Sequence, residues 1–227
     1  MSFIERQIQF ISNYKYVFLR GALNTIVISL LGIVFGLIFG TIIALLRLSK
    51  NKFLNFISTA YVEIVRGTPM TVQMMIIYFG LKDIIPMELS VLRHPIFLCS
   101  LAISLNSAAY VAEVIRGGIQ SVEKGQMEGA RSLGLTYGQA MREIIIPQAI
   151  RNILPALVNE FIALIKESSI VFTVGIADLM YAGKNLYATT FSTRPLYYTA
   201  LVYLIMTFSL SKGMGALERK LSYDRNN

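Results

Sequence analysis

The chain carries one cysteine and one histidine in 227 residues. A single cysteine excludes an internal disulfide framework and a zinc site built on cysteine pairs. A single histidine excludes His-rich metal sites and the HExxH arrangement of zinc proteases. Charge is scarce: 15% of residues are Asp, Glu, Lys or Arg, against about 25% in soluble domains. There is no G-x-x-x-x-G-K-[ST] phosphate loop, since Gly183-Lys184 is followed by Asn185 and lacks the rest of the pattern. There is no G-x-S-x-G elbow either, and His94 is far in sequence from any serine it could activate. What is plentiful is apolar: 55% of residues are hydrophobic, above the usual 45–50% or so. The net charge of +8 therefore speaks to membrane orientation rather than to nucleic acid. The composition is that of an integral membrane protein.

Five apolar segments stand out. The first, Ala22 to Leu46, has no charged residue and is long enough to cross a bilayer with some tilt. Gly32, Gly36 and Gly40 recur in it every four residues, a stripe that lets another helix come close. The second, Phe53 to Leu81, is interrupted by Glu63, Arg66 and Gly67-Thr68-Pro69, where a helix should break. The third covers Pro95 to Ile115, the fourth Asn152 to Gly175 and the fifth Pro195 to Leu210. A Tyr-rich amphipathic link joins the last two, and Tyr181, Tyr187, Tyr197 and Tyr198 fit an interfacial belt.

Five spans put the termini on opposite sides. Arg47, Lys50, Lys52, Arg116, Lys124, Arg131, Arg142, Arg151, Lys212, Arg219, Lys220 and Arg225 share one side, twelve in all. Arg6, Lys15, Arg20, Lys82, Arg93, Lys184 and Arg194, seven in all, share the other. The bias predicts an outer N-terminus and a cytoplasmic C-terminus.

The stretch from Gln120 to Leu157 is too polar for lipid and too patterned for a plain linker. Gln126 to Leu133 reads as a short helix, and Gly134 stands where a left-handed C-terminal residue belongs. Thr136 with Gln139 resembles a capping box opening a second helix over Thr136 to Ile146, which Pro147 should limit. Two short helices joined at a glycine turn make a compact knob, suited either to a partner's groove or to packing on the chain's own helix ends.

This stretch resembles a known motif. Glu128-Gly129-Ala130, then Gly134, Ile144 and Pro147 follow the spacing of the "EAA" loop of bacterial ABC importer membrane subunits. Gly129 stands where the usual residue is alanine, and Ile146 where it is leucine. The segments Val62 to Pro69, Asn106 to Glu113, Asn159-Glu160-Phe161 and Lys166-Glu167-Ser168 are similar to the polar amino acid permease family, which includes histidine, arginine, glutamine and cystine permeases. The resemblance runs from about Gly21 to Arg219. It implies an all-α integral membrane protein like the type I ABC importers: five transmembrane helices and a cytoplasmic coupling-helix loop over about 120–150. Residues 1–227 would form one transmembrane permease domain. Glu128, Gly129, Ala130, Arg131 and Gly134 would couple it to a dimer of ATP-binding subunits, where ATP and Mg reside. This chain would bind no cofactor. Further partners would be a second permease, copy or paralogue, an extracellular substrate-binding protein and membrane lipid, with no nucleic acid. The location would be a bacterial inner membrane.

Ionisable groups inside spans are costly and mark partners or watery paths. Glu160, Leu164 and Glu167 share a helical face, with Asn159, Ala163 and Lys166 on an adjacent stripe. A zwitterionic ligand needs acceptors for its ammonium group and donors for its carboxylate. Glu160, Glu167 and Glu63 are candidates for the first, and Asn106, Ser107, Asn159 and Ser168 for the polar remainder. Lys166 is expected to pair with a glutamate, Glu63 with Arg66, and Met70, Met74 and Met75 to pack. Several carboxylates favour arginine, lysine or histidine as cargo, with glutamine or cystine as the alternative. A self-contained channel or secondary transporter would need no cytoplasmic knob.

Overall fold

Ser2 closes a capping box with Glu5 at the start of the first helix, and no break follows for the next twelve turns. The computed structural model describes residues 2–223, apart from the side chains of residues 3, 6 and 216–223. Of the basic residues counted for orientation, Arg225 and the side chains of Arg6, Arg219 and Lys220 lie outside the described part. The elements are α1 (Phe3–Arg47), α2 (Lys52–Gly67), α3 (Met70–Ile84), α4 (Pro95–Gln120), α5 (Lys124–Ser132) and α6 (Tyr137–Ala140). A π turn (Met141–Ile145), α7 (Ile146–Glu167), a 3-10 stretch (Ser168–Val174), α8 (Leu179–Thr190) and α9 (Arg194–Tyr223) complete them. Among the described residues there is no strand. By length and apolarity alone, α1 and α4 qualify as membrane spans.

The fold is built around α4, whose Leu98, Cys99, Ala102, Ile103, Ala108, Ala109, Val111 and Ala112 are buried. Small residues let neighbours approach, and α1 supplies the complementary stripe. A Cβ on Gly32 would meet Ile103 at 2.6 Å, one on Gly36 would meet Ser107 Oγ at 2.8 Å, and one on Gly40 would meet Val111 at 2.7 Å. The four-residue glycine repeat is thus a packing stripe against α4.

The expected break in the second segment is present: α2 ends at Gly67, Thr68 and Pro69 are extended, and α3 starts at Met70. The chain does not turn back there. Val62 of α2 clusters with Ala109 and Ala112, while Met74 and Tyr78 of α3 cluster with Leu98, Cys99 and Ala102. The two pieces therefore follow α4 end to end as one interrupted crossing. Gln73 satisfies the gap. Its Nε2 donates to the carbonyls of Val65 at 2.7 Å and Thr68 at 3.1 Å, and its Oε1 accepts from Asn106 Nδ2 at 2.9 Å. In hydrocarbon such orphaned carbonyls need an internal donor.

Three expectations change. Helix α1 begins at Phe3, well before Ala22, because its polar N-terminal part packs Phe10, Tyr14 and Phe18 against Tyr198, Val202 and Met206 of α9. Pro147 does not end its helix. The preceding turn widens, so that Ile146 N–H bonds to Met141 O five residues back, and Gln148 Nε2 donates to Ile144 O at 3.0 Å. The widened turn accommodates the donor that proline lacks, and the chain stays helical from Tyr137 to Glu167. Met74 is buried as expected, but Met75 is 41% exposed on the outer face of α3.

Candidate translocation site and coupling knob

Helix α7 places the acidic candidates. Glu160 turns inward, where Ser107 Oγ of α4 donates to its Oε1 at 3.2 Å. Ser107 is fully buried and faces Gly36, so a glycine on α1 makes room for the pair. Asn106 is buried and already engaged by Gln73. Ser168, also buried, donates to Ile165 O at 2.9 Å within its own turn. Asn159 and Glu167 are exposed along α7. Ser107 and Glu160 thus come together where α4 meets α7, while Asn106 faces Gln73 of α3 and Asn159 and Glu167 stay on the exposed stripe of α7.

Glu63 does not join them; it lies exposed on α2. Its expected pairing with Arg66 is absent, because Arg66 stacks over the Tyr110 ring at 5.3 Å instead. Lys166 makes no ion pair among the described residues. It borders a crevice of about 550 Å³ lined by Ser169, Met180, Thr199, Tyr203 and Thr207.

The fourth segment ends at a left-handed Gly175, after which buried Asp178 caps α8. Its Oδ1 accepts from Tyr181 N at 2.8 Å and its Oδ2 from Tyr203 OH at 3.2 Å. Thr25 of α1 accepts from Leu179 N at 3.2 Å. Three helices are tied at this point, which no sequence pattern announced.

At the other end, Glu113 binds both Arg47 of α1 and Arg116 of its own helix, and Asn55 donates to Arg47 O. All three charged side chains are less than a third exposed. This cluster locks α1, α2 and α4 next to the knob.

The knob itself follows the expected chemistry. Helix α5 ends in paired bonds, Gly134 N to Arg131 O at 3.1 Å and Leu135 N to Ala130 O at 3.2 Å, with Gly134 at φ +87°. This double closure needs the left-handed residue that glycine supplies. The capping box of Thr136 and Gln139 is present. Ala130 is buried against the chain's own turn, and Arg131 Nη1 donates to Leu135 O at 2.9 Å. Those two residues hold the knob in shape. Glu128, Gly129 and Gly134 are exposed, and so are Leu133 at 83% and Tyr137 at 61%. Leu133 and Tyr137 escaped the sequence reading, although an apolar pair flanking a polar glycine turn is a visible signal. Gln148 Nε2 to Gln126 Oε1 at 3.3 Å and Asn152 Nδ2 to Ser121 Oγ at 2.9 Å fasten the knob to α7.

Residues 32–223 match the family described as binding-protein-dependent transport system inner membrane component. The chain belongs to that family. Its relatives include the arginine transport system permease protein of Bacillus subtilis (strain 168), 39% identical over 204 residues, covering 89% of this chain and 91% of that protein. A probable glutamine ABC transporter permease protein of the same organism is 39% identical over 206 residues, covering 90% and 93%. Among solved structures, an amino acid ABC transporter with histidines aligns at a TM-score of 0.86 and 39% identity, covering 97% of this chain and 99% of that one. An inward-facing methionine ABC transporter at 16% identity shares the fold, with a TM-score of 0.79 over 92% of this chain and 98% of that one. The family member described here is thus an all-α membrane permease subunit of an amino acid ABC importer, with the type I fold. It is a translocation subunit and not an enzyme; ATP hydrolysis falls to separate ATPase subunits.

Proposed function

We propose that this permease serves an importer of basic amino acids (arginine, lysine or histidine) and that Glu160 contacts the cargo. The observation carrying this reading is an intramembrane carboxylate beside a buried serine, with no lysine or arginine in ion-pair range among the described residues. A carboxylate that the protein leaves without a cation is a site for one from outside. Glu167, Asn159, Asn106, Ser107 and Ser168 shape the same region, with Asn106 and Ser168 acting through their neighbours. Glu63, exposed on α2, serves at the mouth of the path. The arginine relative supports the basic reading; the glutamine relative keeps the neutral alternative of glutamine or cystine in play. The chain acts as one domain of five spans in a bacterial inner membrane, N-terminus outside and C-terminus cytoplasmic. Two permeases enclose the path, and a substrate-binding protein delivers cargo. Glu128, Gly129, Arg131 and Gly134, backed by Ala130, seat the knob in an ATP-binding subunit, where ATP and Mg act. Membership of a binding-protein-dependent family sets aside a self-contained channel or secondary transporter.

The test is ATP-driven uptake into proteoliposomes holding the assembled complex and its binding protein, over a panel of amino acids. Arginine, lysine or histidine should be taken up best, and Glu160→Gln should cut that uptake at least about tenfold, the usual worth of one charge-assisted contact. Unchanged uptake and selectivity in Glu160→Gln would remove Glu160 from the site.

A further inference from the structure

The N-terminal part of α1 carries an exposed apolar stripe. Ile4, Ile8, Ile11, Leu19 and Leu23 follow one another at three- to four-residue spacing, save one gap, and are each 48–68% exposed. Exposed Lys15 fills that gap. Beside the stripe a groove runs between α1 and α9. Its part nearer Ala22, about 320 Å³, is walled by Phe18, Leu19, Ala22, Leu201 and Val202, and Lys15 is the one charged residue lining it. Its part nearer the start of α1, about 430 Å³, is lined by Gln7, Arg194, Tyr197 and Tyr198. Tyr198, whose ring stacks on Phe10 at 5.4 Å, borders both parts and makes them continuous. Neither part is lined by Asp or Glu, and neither Lys15 nor Arg194 forms an ion pair among the described residues. Tyr198 OH donates to Gln7 Oε1, which leaves the Gln7 amide nitrogen as a further donor at that end. Cations and an amide donor at one end, with hydrocarbon over the about 22 Å from Gln7 to Ala22, match an amphiphile with a negative head. Arg194 immediately precedes the apolar fifth segment, and Lys15 stands about 10 Å before the first. A lysine stem and the headgroup layer cover that distance.

We propose that this groove holds one anionic phospholipid from the leaflet at the N-terminal end of α1, with its phosphate between Lys15 and Arg194 and an acyl chain along Phe18, Leu19 and Leu201. Two cations without a carboxylate select a headgroup whose one charge is the phosphate, as in phosphatidylglycerol. The ammonium of phosphatidylethanolamine finds no counter-charge there. The lipid joins the first and last crossings across a gap that the side chains leave open.

The experiment is native mass spectrometry of the delipidated permease–ATPase complex, titrated with palmitoyl-oleoyl phosphatidylglycerol or the matching phosphatidylethanolamine. The wild-type complex should hold its first phosphatidylglycerol at least about tenfold more tightly, as expected for two cations at a headgroup. Lys15→Gln with Arg194→Gln should bring the two lipids close to parity. Arg20→Gln with Lys184→Gln removes the same charge from the same end of the molecule but outside this groove, and should keep the preference. Equal binding of both lipids to the wild type overturns the proposal, as does an unchanged preference in the Lys15 and Arg194 variant or an equal loss in the two double variants. Glycerol 3-phosphate, a phosphate without the chains, should not compete; competition would make this a site for free phosphate and overturn the lipid. A second measurement depends on neither double variant. With p-benzoylphenylalanine in place of Leu201, irradiation of the assembled complex in its own membrane should give an adduct of phospholipid mass. An adduct to a second permease or to another protein of the complex overturns the assignment.

Discussion

At the scale of single residues, this protein is governed by who already holds each polar atom. Serine and asparagine near mid-span look like ligand donors in a sequence, because their chemistry fits. Their partners are distant in the chain: Asn106 finds Gln73, and Ser107 finds Glu160. No local pattern reveals such pairings, and for that reason the sequence offers the carboxylates as candidates but not the fate of the donors. Gln73 illustrates the reverse. One amide in an apolar run is easily passed over, yet it closes the broken crossing. Gln73→Leu should orphan two carbonyls and Asn106, lowering stability by about 1–3 kcal/mol. The read-out is thermal unfolding followed by maleimide reaction at Cys99, which is buried and is the chain's one thiol. Gly36→Ala should cost about 1–3 kcal/mol by overpacking against Ser107, a fall of about 3–10 °C in the same assay. Gly80→Ala, whose Cβ meets nothing within 4 Å, should be neutral or slightly stabilising. Equal shifts for the two glycines would remove the packing stripe as the cause.

At the scale of elements, the signals that proved readable are short-range. The break at Gly67-Thr68-Pro69, the left-handed Gly134 and the Thr136–Gln139 box each depend on residues within a turn or two. Pro147 misleads because its effect depends on whether the turn before it can widen, and the proline's own position in the sequence does not decide that. The early start of α1 is invisible for a similar reason: polar residues there lie against α9 aromatics that the sequence keeps far away. The knob gives a prediction of its own. Charge reversal at Glu128 should uncouple ATP hydrolysis from uptake in the reconstituted complex, whereas Leu133→Ser with Tyr137→Ser should weaken ATPase association. Binding of the ATPase subunit to immobilised permease reads the second effect, expected to be tenfold or more for two apolar anchors that docking would bury at about 1.5 kcal/mol each. Full coupling in the Glu128 variant would exclude that residue from docking.

At the scale of the whole molecule, composition alone separates a membrane protein from a soluble one, and motif spacing leads on to the family. What it leaves open is assembly. The outward stripe of α7, with Asn159, Lys166 and Glu167, faces away from the chain's own core and leaves polar groups for a second permease to cover. The intact complex should therefore hold two permeases and two ATPase subunits, and native mass spectrometry of the purified assembly gives the count. A single permease in an active complex would overturn the shared path.

The widened turn before Pro147 carries one more implication. Because it spares the helix from ending, the exposed Tyr137 and the carboxylate at Glu160 stand on one continuous helical run some 35 Å apart, with Pro155 inside it. The π turn and Pro155 each leave the hydrogen-bond ladder incomplete, so the run can flex at those two points. Tilting the Tyr137 end should move the Glu160 end through the helix itself, with bending concentrated at those two points, and need no relay of side chains.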